Sequence, residues 1–145
     1  MEPIDILLVE DNEGDILLTT EALNDARVAN NVFVVKDGWS AIQFLEKKGE
    51  FSNEKTPDLV LLDINLPKMN GHEVLEEIKS NPRTKHIPVI ILTTSSSESD
   101  ILKSYQKYAS CYITKPVNVN DFLRVVTSIE NFWVSIVQLP GRVKS

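Results

Sequence analysis

The sequence predicts an α/β sandwich in which a five-stranded parallel sheet is wound in both directions and covered by helices. Three observations point there. Five short apolar runs recur along the chain, each followed by a longer amphipathic stretch. The runs are mostly β-branched and scarcely alternate, as strands covered on both faces do. Four of the five end on polar residues, and open parallel sheets bind their ligands outside the carboxyl ends of the strands.

The runs are Ile4 to Val9, Val32 to Val35, Leu59 to Leu62, Val89 to Leu92 and Cys111 to Ile113. Between them lie five helical patterns. Ile16, Leu17, Thr20 and Leu23 mark the first, Ile42 and Leu45 the second. Val74, Leu75 and Ile78 mark the third, with Pro82 just past its end, and Ile101, Leu102 and Tyr105 the fourth. A long stripe of Phe122, Val126, Ile129, Trp133 and Ile136 at i+3 and i+4 spacing makes the last, which Asn118 or Asn120 would cap. Right-handed crossovers and the strand order 2-1-3-4-5 follow.

The chain has 145 residues, one domain's worth, with 42% apolar and 25% charged residues, a globular composition. Its net charge of −6 argues against a nucleic-acid partner, since phosphate neutralisation needs a basic face. No stretch is apolar enough for a membrane span, and the acidic start "MEPIDILLVED" is no signal peptide. A lone Cys111 excludes an internal disulfide and suits the cytoplasm. His72 and His86 have no metal-ligand spacing and read as surface residues, and Trp39 reads as packing or partner surface.

The polar strand ends carry the chemistry. Glu10 and Asp11 end the first strand, Asp63 the third, Thr93 and Thr94 the fourth, and Lys115 the fifth. In the order 2-1-3-4-5 the topological switch lies between strands one and three, so the carboxylates face one another across it. Three close carboxylates repel unless a cation joins them, and Mg²⁺ takes such oxygens while keeping waters for a phosphoryl group. Taken singly, Asp63 reads equally well as a turn cap, Glu10 and Asp11 as helix caps, Thr93 as a turn former and Lys115 as a solvated charge. Taken together, an Asp nucleophile, a cation site, a hydroxyl and an ammonium at one sheet edge form a phosphoryl-transfer site.

"ILLVEDN", "VLLDINLPKMNGHEVL", "IPVIILTTS" and "CYITKP" together resemble the receiver domain of two-component response regulators, from about Ile4 to Ile129. The resemblance implies a flavodoxin-like fold and a signalling switch rather than a metabolic enzyme. It implies that Asp63 accepts a phosphoryl group from the phosphohistidine of a sensor histidine kinase. Asp11 and Asp63 would be direct Mg²⁺ ligands with the Asn65 backbone carbonyl, and Glu10 would act largely through water. Lys115 would contact the phosphoryl oxygens, while Thr93 and Tyr112 would shift as switch residues and reshape the face of the fourth helix, fifth strand and fifth helix.

Residues 1–130 are thus expected to form the receiver, and 131–145 an extension with no room for an output domain. Phe132, Trp133, Ile136, Val137 and Leu139 exceed what one helix face buries, and Val125, Phe132 and Leu139 recur every seven residues. A homodimer through this tail is expected, the alternative being a tail folded back on its own domain. The tail and the loop "GEFSNEKTPDL" look similar to small regulators serving phytochrome-type histidine kinases. Three rivals stand beside this reading. A phosphohydrolase would want a second Asp where Asn65 stands. A flavin carrier would want a phosphate loop where "EDNEGD" stands. A receiver-like binding module would act without phosphorylation.

Overall fold

The structure, a computed structural model, describes residues 3–25, 29–93, 111–115 and 119–120. Its elements are β1 (Ile4–Val9), α1 (Glu13–Asp25), β2 (Asn30–Val35), α2 (Gly38–Leu45), a 3-10 turn (Gly49–Phe51), β3 (Leu59–Asp63), α3 (Gly71–Ser80), β4 (Val89–Thr93) and β5 (Cys111–Thr114). The five strands form one sheet in the order β2-β1-β3-β4-β5. Every pair is parallel, with Val9 beside Leu62, Asp63 beside Leu92 and Thr93 beside Thr114 at the carboxyl edge.

Side chains of a strand alternate between faces, so each apolar run feeds two cores. Leu7, Val9, Val60, Leu62, Val89 and Ile91 pack on one face with Phe44 and Leu45 of α2 and Val74, Leu75 and Ile78 of α3. Ile6, Leu8, Leu61, Ile90, Leu92 and Ile113 pack on the other with Ala22 and Leu23 of α1. The central strands β1, β3 and β4 are apolar on both faces for this reason.

Two expectations need correction. The edge strand β2 begins at Asn30 rather than Val32 and alternates between half-buried and exposed positions, because only β1 flanks it. On α1 the buried face is Thr19, Ala22 and Leu23, whereas Leu17 is 58% and Leu18 48% exposed. Ala22 and Leu23 pack against the sheet, while the Thr20 hydroxyl turns back to the Ile16 carbonyl at 2.8 Å. The fourth helix, the tail residues Val125, Phe132, Trp133, Ile136 and Leu139, and the boundary at residue 130 lie outside the described residues. Val119 and Asn120 are helical, so Asn120 is inside a helix rather than its cap, and Asn118, the other candidate cap, lies outside the described residues. His86 is exposed as expected, His72 is half-buried, and Trp39 is exposed on α2. No helix among the described residues is long and apolar enough to cross a membrane.

Two glycines bring backbone against backbone near the sheet's carboxyl edge. A Cβ on Gly71 would lie 2.3 Å from the Asp63 carbonyl oxygen and 2.6 Å from the Ile64 Cα. One on Gly38 would lie 2.0 Å from the Met69 carbonyl oxygen. The starts of α2 and α3 therefore clamp the loop that leaves β3.

Candidate functional site

β1 delivers Glu10 and Asp11 to the carboxyl edge, and β3 delivers Asp63 beside them. One carboxylate oxygen from each of these residues lies within 4.8 Å of the others, with Glu10 and Asp63 buried and Asp11 exposed. Asp63 is only 4% exposed, so the sheet rim it occupies is covered. Local bonds fix the arrangement. The Asn12 amide donates to Glu10 Oε2 at 3.2 Å, and Asn12 Oδ1 accepts from the Asp15 amide at 2.9 Å, capping α1. The cap of α1 is thus Asn12, not Glu10 or Asp11.

The loop after Asp63 is held as firmly. The Gly71 amide donates to the Ile64 carbonyl at 2.8 Å. Met69 donates to the Pro67 carbonyl at 2.7 Å across Lys68, whose φ of 68° gives the rarer and more strained form of γ-turn. Asn70 then caps α3 in a reciprocal box: its Oδ1 accepts from the Glu73 amide at 3.0 Å while Glu73 Oε1 accepts from the Asn70 amide at 3.2 Å.

Lys115, just past β5, reaches back into this acidic edge. Its Nζ lies 2.5 Å from Glu10 Oε1, 2.9 Å from Asp15 Oδ2 and 3.4 Å from Asp63 Oδ2. Burial alone would lower its pKa, but hydrogen bonds to Glu10 and Asp15 and the charge of Asp63 hold it above the ordinary lysine value. Burial pushes the Glu10 carboxyl up to about 7, with the Asp63 charge adding to the rise and the Lys115 hydrogen bond opposing it. The edge thus holds three carboxyl groups around one ammonium, with Asp11 beside them, a surplus of acid that favours a hard cation. Carboxylate oxygens so close suit Mg²⁺, which takes one or two protein carboxylates and completes its octahedron with water or phosphate oxygens.

The structure brings Glu10, Asp11, Asp63 and Lys115 together. It places Thr93 at the end of β4 and Tyr112 within β5 beside Ile91, with their side chains outside the described residues. Asn65 is exposed in the first position but one after Asp63. Asp15 was missed by sequence reasoning. Its signal was the run "EDNEGD", which puts two further acids, Glu13 and Asp15, in the first turn of α1.

A parallel sheet with acids at the switch point and a lysine at the end of the last strand is the frame of one signalling class. The chain belongs to the response regulator receiver domain family, which it matches over residues 6–127. It is 46% identical to response regulator Rcp1 of Synechocystis sp. over 136 residues, covering 94% of this chain and 92% of that one. It is similar to the phosphorylated cyanobacterial phytochrome response regulator RcpA, with 48% identity and a TM-score of 0.79, covering 96% of this chain and 99% of that one. The Mn²⁺-bound form of Rcp1 is comparable, at 46% identity and a TM-score of 0.77, with 95% and 99% covered.

Proposed function

We propose that this receiver is a phosphorylation switch whose acceptor is Asp63, served by a phytochrome-type sensor histidine kinase. The carrying observation is the convergence of Lys115 with Glu10, Asp11 and Asp63 at one covered sheet edge. The similarity to phytochrome response regulators supports the choice of kinase.

An Asp63 carboxylate oxygen attacks the phosphorus of the kinase's phosphohistidine. The O–P bond forms as the N–P bond breaks, and the electron pair stays on the imidazole nitrogen. Asp11, Asp63 and the Asn65 carbonyl would hold Mg²⁺, with Glu10 acting through water, and the bound ion would supply positive charge to the transferring oxygens. The Lys115 ammonium, kept protonated by its carboxylates, supplies a further positive charge to those oxygens. Burial of Asp63 limits water around it. The new dianionic group then draws Thr93 and Tyr112 into the second of two packings, changing the face of the fourth helix, β5 and fifth helix. That face binds a partner, or a second copy through Val125, Phe132, Trp133, Ile136 and Leu139, in the cytoplasm.

Intact-mass measurement after incubation with acetyl phosphate and Mg²⁺ tests the reading, beside Asp63→Asn and a chelator control. One added phosphoryl group is expected in the wild type alone. No gain with acetyl phosphate or with a phosphorylated histidine kinase would overturn the switch and leave a constitutive binding module.

A further inference from the structure

Lys115 is held by more than the acids of the metal cluster. The ammonium offers three N–H donors, and its two shortest contacts are Glu10 at 2.5 Å and Asp15 at 2.9 Å, with Asp63 farther at 3.4 Å. Asp15 stands outside the group of oxygens that converge as metal ligands. It comes from a different element, the first turn of α1, and its backbone is fixed there by the Asn12 cap. Its carboxylate is 27% exposed, so it keeps part of its hydration, whereas the Lys115 side chain is 5% exposed. The contact spans 100 residues of sequence and ties the end of β5 to the start of α1.

A lysine beside a nucleophilic carboxylate faces two demands. It must stay close enough to meet phosphoryl oxygens. It must also not close on Asp63, because a tight ion pair would occupy the lone pairs that metal and phosphorus need. We propose that Asp15 is a positioning residue that anchors the Lys115 ammonium on α1 and so keeps it off Asp63. The inference rests on the reading of Asp63 as a metal-assisted phosphoryl acceptor. Among the described residues, the contacts left to the ammonium without Asp15 are Glu10 and Asp63. It then closes on Asp63 and competes with the cation for that carboxylate.

Metal affinity reads this competition directly, with no phosphoryl transfer involved. Mn²⁺ is titrated into the full chain with the free ion counted by electron paramagnetic resonance, and Mg²⁺ is then measured by displacement. The series comprises wild type, Asp15→Asn, Lys115→Met and the double variant. Asp15→Asn is expected to weaken Mg²⁺ binding about three- to tenfold, the range for one partly exposed charge-assisted hydrogen bond. With Lys115→Met in place, the same change should cost less than half that factor, since only the distant loss of one charge remains. An equal loss in both backgrounds would mean that Asp15 acts as a through-space charge and would overturn the inference. So would unchanged or tighter binding in Asp15→Asn. Should Lys115→Met not fold by circular dichroism, Lys115→Gln fills the same place in the cycle. A wild type that binds neither ion would remove the metal-site reading itself and the inference with it, whereas binding without coupling removes the inference alone.

Discussion

Gly71→Ala places a methyl group where there is no room for one. The added Cβ would sit 2.3 Å from the Asp63 carbonyl oxygen and 2.6 Å from the Ile64 Cα. Both neighbours are backbone and cannot swing aside. Real contacts of this kind begin near 3.0 Å, so the helix start and the end of β3 must separate by roughly 0.7 Å. That motion stretches the Gly71 to Ile64 hydrogen bond, now 2.8 Å, and tilts the residue bearing the acceptor carboxylate. Overpacking of this order costs about 2–3 kcal/mol. At about 3 °C per kcal/mol for a domain of this size, the melting temperature should fall by about 6–9 °C. A displacement approaching 1 Å at a reacting group costs up to about a hundredfold in rate, so phosphorylation of Asp63 should slow by about ten- to a hundredfold. Calorimetry and intact-mass kinetics with acetyl phosphate measure the two effects. Gly14→Ala is the milder comparison, since its Cβ would meet a side chain rather than backbone, the capping Asn12 Oδ1 at 3.3 Å, where a shift of a few tenths of an ångström suffices. A Gly71→Ala protein within 2 °C of wild type and phosphorylated at the wild-type rate would refute the claim that the α3 start positions Asp63 by contact.

Asn70→Ala removes the side-chain acceptor of the α3 capping box, leaving only the bond from the residue-70 backbone amide to Glu73 Oε1, and should cost about 1 kcal/mol in urea unfolding, with Glu73→Ala costing less because it leaves the Asn70 acceptor in place. The Glu10 carboxyl, with its pKa raised to about 7 in the folded chain, binds more protons there than in the unfolded chain between its ordinary value of 4.5 and about 7. Metal-free stability should therefore fall as pH rises through that window, by about 1–3 kcal/mol. Mg²⁺ should reverse the trend by displacing the proton, so that its affinity rises with pH up to about 7. Melting temperatures at pH 5 and 7.5, with chelator and with Mg²⁺, show this, and Glu10→Gln should remove the metal-free slope.

The parallel sheet, its order and the grouping of Glu10, Asp63 and Lys115 at its edge were legible because strands covered on both faces leave continuous apolar runs, and because Glu10 and Asp63 follow such a run directly and Lys115 follows one after Thr114. The edge strand was blurred. Asn30 and Asn31 pair with Ile4 and Asp5, yet polar residues carry no strand signal in a run judged by apolarity. The face of α1 was misjudged for a different reason. Apolar residues fall on more than one side of this helix, and Thr19 and Ala22, small and weakly apolar, are the ones that fit against the sheet. Asp15 escaped notice because its partner lies 100 residues away, and charge pairing at that separation leaves no local period. The clamping glycines were hidden for the same reason. Gly71 looks like a turn residue until Asp63 is known to lie against it.

The placement of Lys115 also bears on synthesis. A ribosome releases Glu10, Asp11, Asp15 and Asp63 before the lysine that sits among them, which follows Asp63 by 52 positions. During elongation, strands β1 to β3 can pair and bring the acids together while their counter-charge is still in the exit tunnel. At that point dissolved cations would help to screen the gathered acids, until closure of β5 at the sheet's edge brings Lys115 among them. Divalent ions in the surrounding medium thereby bear on how readily this chain matures, as well as on how the finished protein signals.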